Sequence, residues 1–211
     1  MNLEQRGRRG RESGQALVEY AMLVPMFLLI LFGMMEFGFV FQHNLTLEYA
    51  TREGARTGAA LANGGSANCP GGAFDPDPYV IAAVERVLTS PGSPIANNIA
   101  SVTQIQIYAA TSAGVPVSAA KTNTWTYTGS LPTNPLVGAV RLLFNRSGPQ
   151  NWTACQRNNG TPPVDSIGVS VTYTYTLVTP MSAIFRFFGP GAGPATYAMN
   201  DRSVMALNPT N

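Results

Sequence analysis

Charge and histidine are what this 211-residue chain has least of. Asp, Glu, Lys and Arg make up 11 % of it, against about a quarter in an average soluble domain. His43 is the only histidine, and Cys69 and Cys155 are the only cysteines. No CxxC pair or His–Cys cluster occurs, and His43 is far in sequence from both thiols, which argues against a metal site. Asp75 and Asp77 flank Pro76; carboxylates bounded by prolines belong to a turn, and they lack the further oxygen ligands that calcium needs. No glycine-rich phosphate loop follows a strand, since Gly189–Pro194 reads as a plain loop. With no paired acids, triad residues or metal ligands, the expectation is a protein that is not an enzyme and carries no cofactor.

The few charges are unevenly placed. Residues 1–14 contain Arg6, Arg8, Arg9 and Arg11 against Glu4 and Glu12. Setting these four and two aside from totals of 13 and 11 leaves nine of each sign in the rest of the chain. A chain neutral in side-chain charge is a poor nucleic-acid binder. Arginines ahead of a first apolar helix instead act as a topology signal that keeps that end in the cytoplasm. Residues beyond the helix are then exported, to the periplasm or farther.

The helix itself is plain in the sequence. Tyr20 to Met35 carries no charge, Glu36 interrupts, and Phe37 to Phe41 resumes the apolar run. Glu19 and Glu36 stand 17 positions apart, about 26 Å along a helix, close to the hydrocarbon thickness of a bilayer. One carboxylate at each interface lowers the cost of both; Glu36 is expected to anchor at the exit. A cleavable secretory signal fits less well, because the run is long and no small-x-small site follows it closely. Pro25 is expected to kink the helix, which membrane helices tolerate. The pattern continues past the bilayer, with Glu48–Arg52 at i,i+4 spacing and a stop expected at Asn63-Gly64-Gly65. Ala50, Gly54, Gly58 and Ala62 recur every four residues. Such a ridge either admits another subunit's backbone or packs beneath the chain's own domain.

The junction before the helix carries a resemblance. Gly14-Gln15-Ala16-Leu17-Val18-Glu19-Tyr20 ends an arginine-rich leader with glycine and places glutamate five residues on, followed by an aromatic residue. It resembles the processing site of class III prepilins and pseudopilins. Together with Pro25, Phe32-Gly33, Glu36-Phe37-Gly38 and the stem Ala50-Thr-Arg-Glu-Gly-Ala-Arg56, it is similar to the TadE-like domain of tight-adherence (Tad/Flp) pilus systems; Phe39 departs from the charged or polar residue many relatives carry. The resemblance implies cleavage by a prepilin peptidase between Gly14 and Gln15. It also implies that Glu19, with Tyr20 and Glu36 beside it in an assembly role, engages other pilins or pseudopilins at an inner-membrane assembly platform. Membrane lipid is the remaining partner, and no nucleic acid is expected.

The exported part, residues 63–211, reads as α+β. A helix spans Tyr79–Leu88, with Val80, Val84, Val87 and Leu88 on one face. Ser101–Ala109 alternates, with Thr103, Ile105, Ile107 and Ala109 facing one way and Gln104, Gln106 and Tyr108 the other. Thr124–Thr128 is a second strand, 137–144 is ambiguous between strand and short helix, and Ile167–Val178 is the clearest strand, stopped by Pro180. Met181–Phe188 is a short helix or a membrane-surface contact, and Ala195–Leu207 is a final strand. The expected architecture is a cytoplasmic leader (1–14), a membrane helix with stem (15–62), and a small antiparallel sheet packed on helix (63–211), lollipop-shaped like a pilin. Two exported cysteines suggest one disulfide, closing a loop of about 86 residues worth roughly 4–5 kcal/mol in the chain-entropy model; two separate buried thiols are the alternative.

The functional expectation is a minor pseudopilin whose helix assembles and whose exported domain primes, caps or regulates the fibre, or contacts a surface. The rival is an uncleaved periplasmic binding or adhesion protein on a simple tether, with Glu19 snorkelling at the bilayer edge.

Overall fold

The computed structural model describes residues 3–62, 74–160, 162–180 and 196–208, with side chains from Gly14 onward. Helix α1 runs from Leu3 to Leu61 through Pro25. Two compact units divide the chain, one within Met1–Val40 and Thr176–Ala195, the other within Phe41–Tyr175 and Thr196–Asn211.

In the first unit α1 is an apolar helix, described together with the short stretch 176–180. Among the described residues it is the one helix long and apolar enough to cross a membrane, with an 18-residue stretch of mean hydropathy 2.2. Leu17, Tyr20, Met22, Leu23, Met26 and Phe27 are all more than 60 % exposed. So large an uncovered apolar surface marks a membrane or protein–protein contact, and its length suits a bilayer.

The second unit is built on α1 from Phe41 onward. His43, Leu47, Ala50, Thr51, Gly54, Ala55, Gly58, Ala59 and Ala62 are buried, the 3.6-residue stripe of a helix lying on a core. Beside it lies α2 (Asp77–Leu88), with Val80, Ile81, Val84 and Leu88 buried. A β-carbon built on Gly54 would come within 2.6 Å of Val84 Cγ2 and 3.2 Å of Val169 Cγ1. One built on Gly58 would meet Ile167 Cδ1 at 2.5 Å and Val80 Cγ2 at 3.3 Å. The four-residue ridge of small side chains therefore packs under this protein's own domain.

The sheet has five strands in the order β5-β2-β1-β6-β7, comprising β1 (Val102–Ala109), β2 (Thr122–Tyr127), β5 (Phe144–Arg146), β6 (Ser166–Thr176) and β7 (Thr196–Ala206). The β1–β2, β1–β6 and β2–β5 pairs are antiparallel. The ambiguous 137–144 stretch resolves into strands. β3 (Leu136–Val137) and β4 (Val140–Arg141) form a separate hairpin, turned at Gly138 with φ +62, and β5 comes next. On β6 Ile167, Val169, Val171, Tyr173 and Tyr175 are all buried, as expected, and Gly168 and Ser170 on the opposite face are buried as well.

Local details differ from expectation at both ends of β1. In β1 the register shifts between Val102 and Gln104, so Thr103 is exposed and Val102 takes the buried place; a bulge changes which residues share a face. Tyr108, expected among the polar side chains, is wholly buried. It lies opposite Gly168, whose missing side chain leaves room for the ring, and its hydroxyl donates to the Gly114 carbonyl at 3.0 Å. Helix α1 ends just before Asn63-Gly64-Gly65, as expected. It ends at Leu61, with the buried Ala62 in the left-handed region at φ 46 and its N–H on the Gly58 carbonyl at 2.9 Å. Asn63–Gly65, Cys69, Met181–Phe188 and the loop 188–195 lie outside the described residues. Cys155 sits exposed in the 3-10 turn Ala154–Gln156.

Candidate processing and assembly site

The expected processing bond joins Gly14 to Gln15 on an open helical surface. Nothing lies within 4 Å of where a Gly14 side chain would be, and residues 14–20 are all exposed. One turn on, the Gln15 amide Nε2 donates to Glu19 Oε1 at 3.2 Å. This i,i+4 bond gives the Glu19 carboxylate a local donor, the kind of pair that stabilises helices by a few tenths of a kcal/mol. Tyr20 is next, 68 % exposed. Glu19 and Tyr20 thus stand together at the head of an uncovered apolar surface.

Glu36 is buried against a later part of its own chain. It is only 6 % exposed. Its Oε1 accepts from the Val178 backbone N–H at 3.2 Å, and its Oε2 accepts from the Thr179 N–H at 2.8 Å and from the Thr179 hydroxyl. The carboxylate is thereby clasped to the turn after β6. Sequence reasoning missed this, because nothing local links Glu36 to a Val-Thr pair 142 and 143 residues later.

The other carboxylates singled out in the sequence are structural. Asp75 Oδ1 accepts from the Asp77 N–H at 3.1 Å and from Gln150 Nε2 at 3.1 Å, and Asp75 also pairs with Arg146. Asp77 is fully buried. Its oxygens take the Arg157 guanidinium and Asn123 Nδ2, the latter at 2.6 Å, with Arg146 at 3.7 Å. Burial pushes the Asp77 carboxyl above its ordinary range, the Arg157 charge pulls it back, and the Asp75 charge raises it again. Arg157 also stacks on Trp152 at 4.5 Å and reaches the Ala62 carbonyl at 3.4 Å, satisfying one of the open carbonyls at the end of α1. These oxygens are committed to protein donors, which leaves no open calcium cradle.

His43 is 8 % exposed and packed against Tyr173 and Tyr175, ring centroids 5.6 and 4.9 Å away. His43 thus lies at the interface between α1 and β6. Among the described residues no cluster of three or more His, Cys, Asp or Glu is arranged to hold a metal ion. Glu85, which the sequence did not mark, is buried on α2; its Oε1 accepts from the Leu143 and Phe144 N–H groups at 2.9 and 3.1 Å. Burial pushes its carboxyl up to about 7, against the lowering effect of those two bonds.

The uncovered span, the Gly14–Gln15 junction and the carboxylate five residues past Gly14 lie on one helix. No curated protein and no solved structure matches the chain. Residues 14–56 match the family model of TadE-like proteins, so this stretch of the helix carries a TadE-like domain, which supports an association with a Tad pilus system.

Proposed function

We propose that the protein is a minor pseudopilin of a tight-adherence pilus. A prepilin peptidase cuts between Gly14 and Gln15, removes the arginine-rich leader and leaves Glu19 at the fifth position of the mature chain. The inner-membrane assembly platform then takes up the helix, and residues after the span are exported. The reading assigns no catalysis to the chain.

The observation that carries this reading is the head of α1. Glu19 is exposed there, with the Gln15 amide as its hydrogen-bond donor, at the start of a helix whose apolar surface is uncovered. A neutral amide at 3.2 Å compensates a carboxylate only in part once the helix enters an apolar bundle. Cutting before Gln15 creates an ammonium on that same residue. In a packed fibre the ammonium of one subunit and the Glu19 of the next neutralise each other, an arrangement strongly favoured over either charge alone in a low-dielectric surrounding. That pairing also fixes the axial register of the subunits.

A second reading leaves the chain uncleaved, as a tether carrying a binding or adhesion domain. Glu19→Ala in the native host, combined with amino-terminal sequencing of the membrane-extracted protein, separates the two. The pseudopilin reading expects a mature chain beginning at Gln15, in a peptidase-dependent manner, and a variant that inserts but fails to enter or support pili. A chain beginning at Met1 in cells that hold the peptidase, or normal piliation with Glu19→Ala as the sole copy, defeats it.

A further inference from the structure

The Glu36 clasp fixes a piece of backbone at a definite depth along α1. From Glu19 to Glu36 is 17 residues, about 26 Å of helix, while the hydrocarbon core is about 30 Å thick. With Glu19 at one interface, Glu36 falls at or just inside the other boundary, and Phe37–Phe41 continue the apolar run beyond it. Whatever is hydrogen-bonded to the Glu36 carboxylate lies at that level too. The bonded group is the turn after β6, through the Val178 and Thr179 N–H groups and the Thr179 hydroxyl.

The chemistry of that turn suits the depth. Thr176-Leu177-Val178-Thr179-Pro180 carries no charge. Irregular backbone is excluded from the hydrocarbon core because its N–H and C=O groups go unsatisfied there. Here two N–H groups are satisfied by a carboxylate, Pro180 has none to satisfy, and at the headgroup boundary the carbonyls stay within reach of water. Thr179, the polar member, is turned inward at 7 % exposure, whereas Val178 is 66 % exposed and Pro180 is exposed as well. Phe37, next to Glu36 on the helix, is 72 % exposed. The clasp also answers the cost of Glu36 itself, since a carboxylate with three donors is tolerated near hydrocarbon where a bare one is not.

We propose that the Thr176–Pro180 turn, held to α1 by the Glu36 carboxylate, is a second membrane contact that inserts Val178 and Pro180 into the lipid boundary. It rests on the helix spanning the bilayer, and extends that reading from a single anchor to two adjoining ones. The partner is phospholipid, at the junction of headgroups and acyl chains.

Tryptophan quenching tests it on the full-length chain. The native Trp125 and Trp152 are buried and give a background that lipid does not reach. Val178→Trp and, as a control for the span, Ile30→Trp are reconstituted separately into phosphatidylglycerol/phosphatidylethanolamine vesicles with and without brominated acyl chains. Both positions are exposed, so both variants fold. Bromolipid is expected to remove emission from the added tryptophan in each variant and leave the parent unchanged. If Ile30→Trp is quenched while Val178→Trp responds only to aqueous acrylamide, the turn faces water and the proposal fails with the spanning helix intact. Resistance of Val178→Trp to both quenchers, with Ile30→Trp quenched, means polypeptide covers the turn and equally overturns it. If bromolipid quenches neither, the spanning helix and the proposal fall together.

Discussion

Among the described residues three carboxylates, Asp77, Glu36 and Glu85, are buried, and each is held by a different set of donors. Asp77 has a guanidinium and an amide, Glu36 has two backbone N–H groups and a hydroxyl, and Glu85 has two backbone N–H groups alone. Glu85 therefore carries the least compensation for its burial, and its carboxyl is pushed up to about 7 from an ordinary 4.5. The folded state holds this proton more tightly than the unfolded chain does. The stabilisation it gives is complete below about pH 4.5 and is lost as pH rises through about 7. Glu85→Gln keeps an acceptor for the Leu143 and Phe144 N–H groups while removing the titration. Chemical denaturation in detergent from pH 5 to 8 should show a flatter profile for the variant and a gain of about 1–2 kcal/mol over the parent at pH 8, after allowing for solvent screening. A parallel pair of profiles would mean that Glu85 titrates normally.

At the level of elements, the four-residue spacing of Ala50, Gly54, Gly58 and Ala62 is visible in the sequence, but its partner is not. Periodicity says that a backbone approaches closely; it does not say whose. The answer depends on Val80, Val84, Ile167 and Val169, which reach the helix only through the tertiary path of α2 and β6. Gly33 and Gly38 have nothing within 4 Å of a built side chain, so the same residue type has opposite tolerance at different points of one helix. Gly54→Leu should destabilise the second unit by about 1–3 kcal/mol, the overpacking cost offset in part by the better helix propensity of leucine. Gly38→Leu should leave the denaturation midpoint unmoved. Equal effects at the two positions would show that the ridge is not packed as described. β6 and α2 are legible because alternation and a 3.6-residue stripe survive in uninterrupted form. The start of β1 misleads by one residue because a bulge leaves no mark in composition. Tyr108 looks like a member of the polar side because the space it fills is an absence, at Gly168. The Glu36 clasp and the Asp77–Arg157 pair are illegible for a related reason: their members are 80 or more residues apart, and neither side carries a local pattern.

At the level of the whole molecule, the loops hold much of the chain, which is rich in Gly and Pro at 21 and 16 residues. The segment after β5 is tied down by the buried Trp152 and Arg157 and carries Cys155. If the second unit is exported into an oxidising compartment, Cys155 and Cys69 are expected to be joined. Thiol titration of the unfolded, unreduced protein should then find no free thiol, and two after reduction. Cys155→Ser should lower stability by about 2–5 kcal/mol. Two reactive thiols before reduction would remove the cross-link from the account.

Helix α1 is shared property. Its apolar head belongs to one unit, yet Leu47, Ala50, Ala55, Ala59 and Ala62 are core residues of the other. Any fragment engineered to free the sheet for crystallisation or binding assays has to keep residues 41–62, even though the Asn63-Gly64-Gly65 sequence looks like the natural place to cut. Begun at 63, such a fragment would expose the valines and isoleucines that now lie beneath those small side chains, and it would aggregate for reasons unrelated to any ligand it was meant to capture.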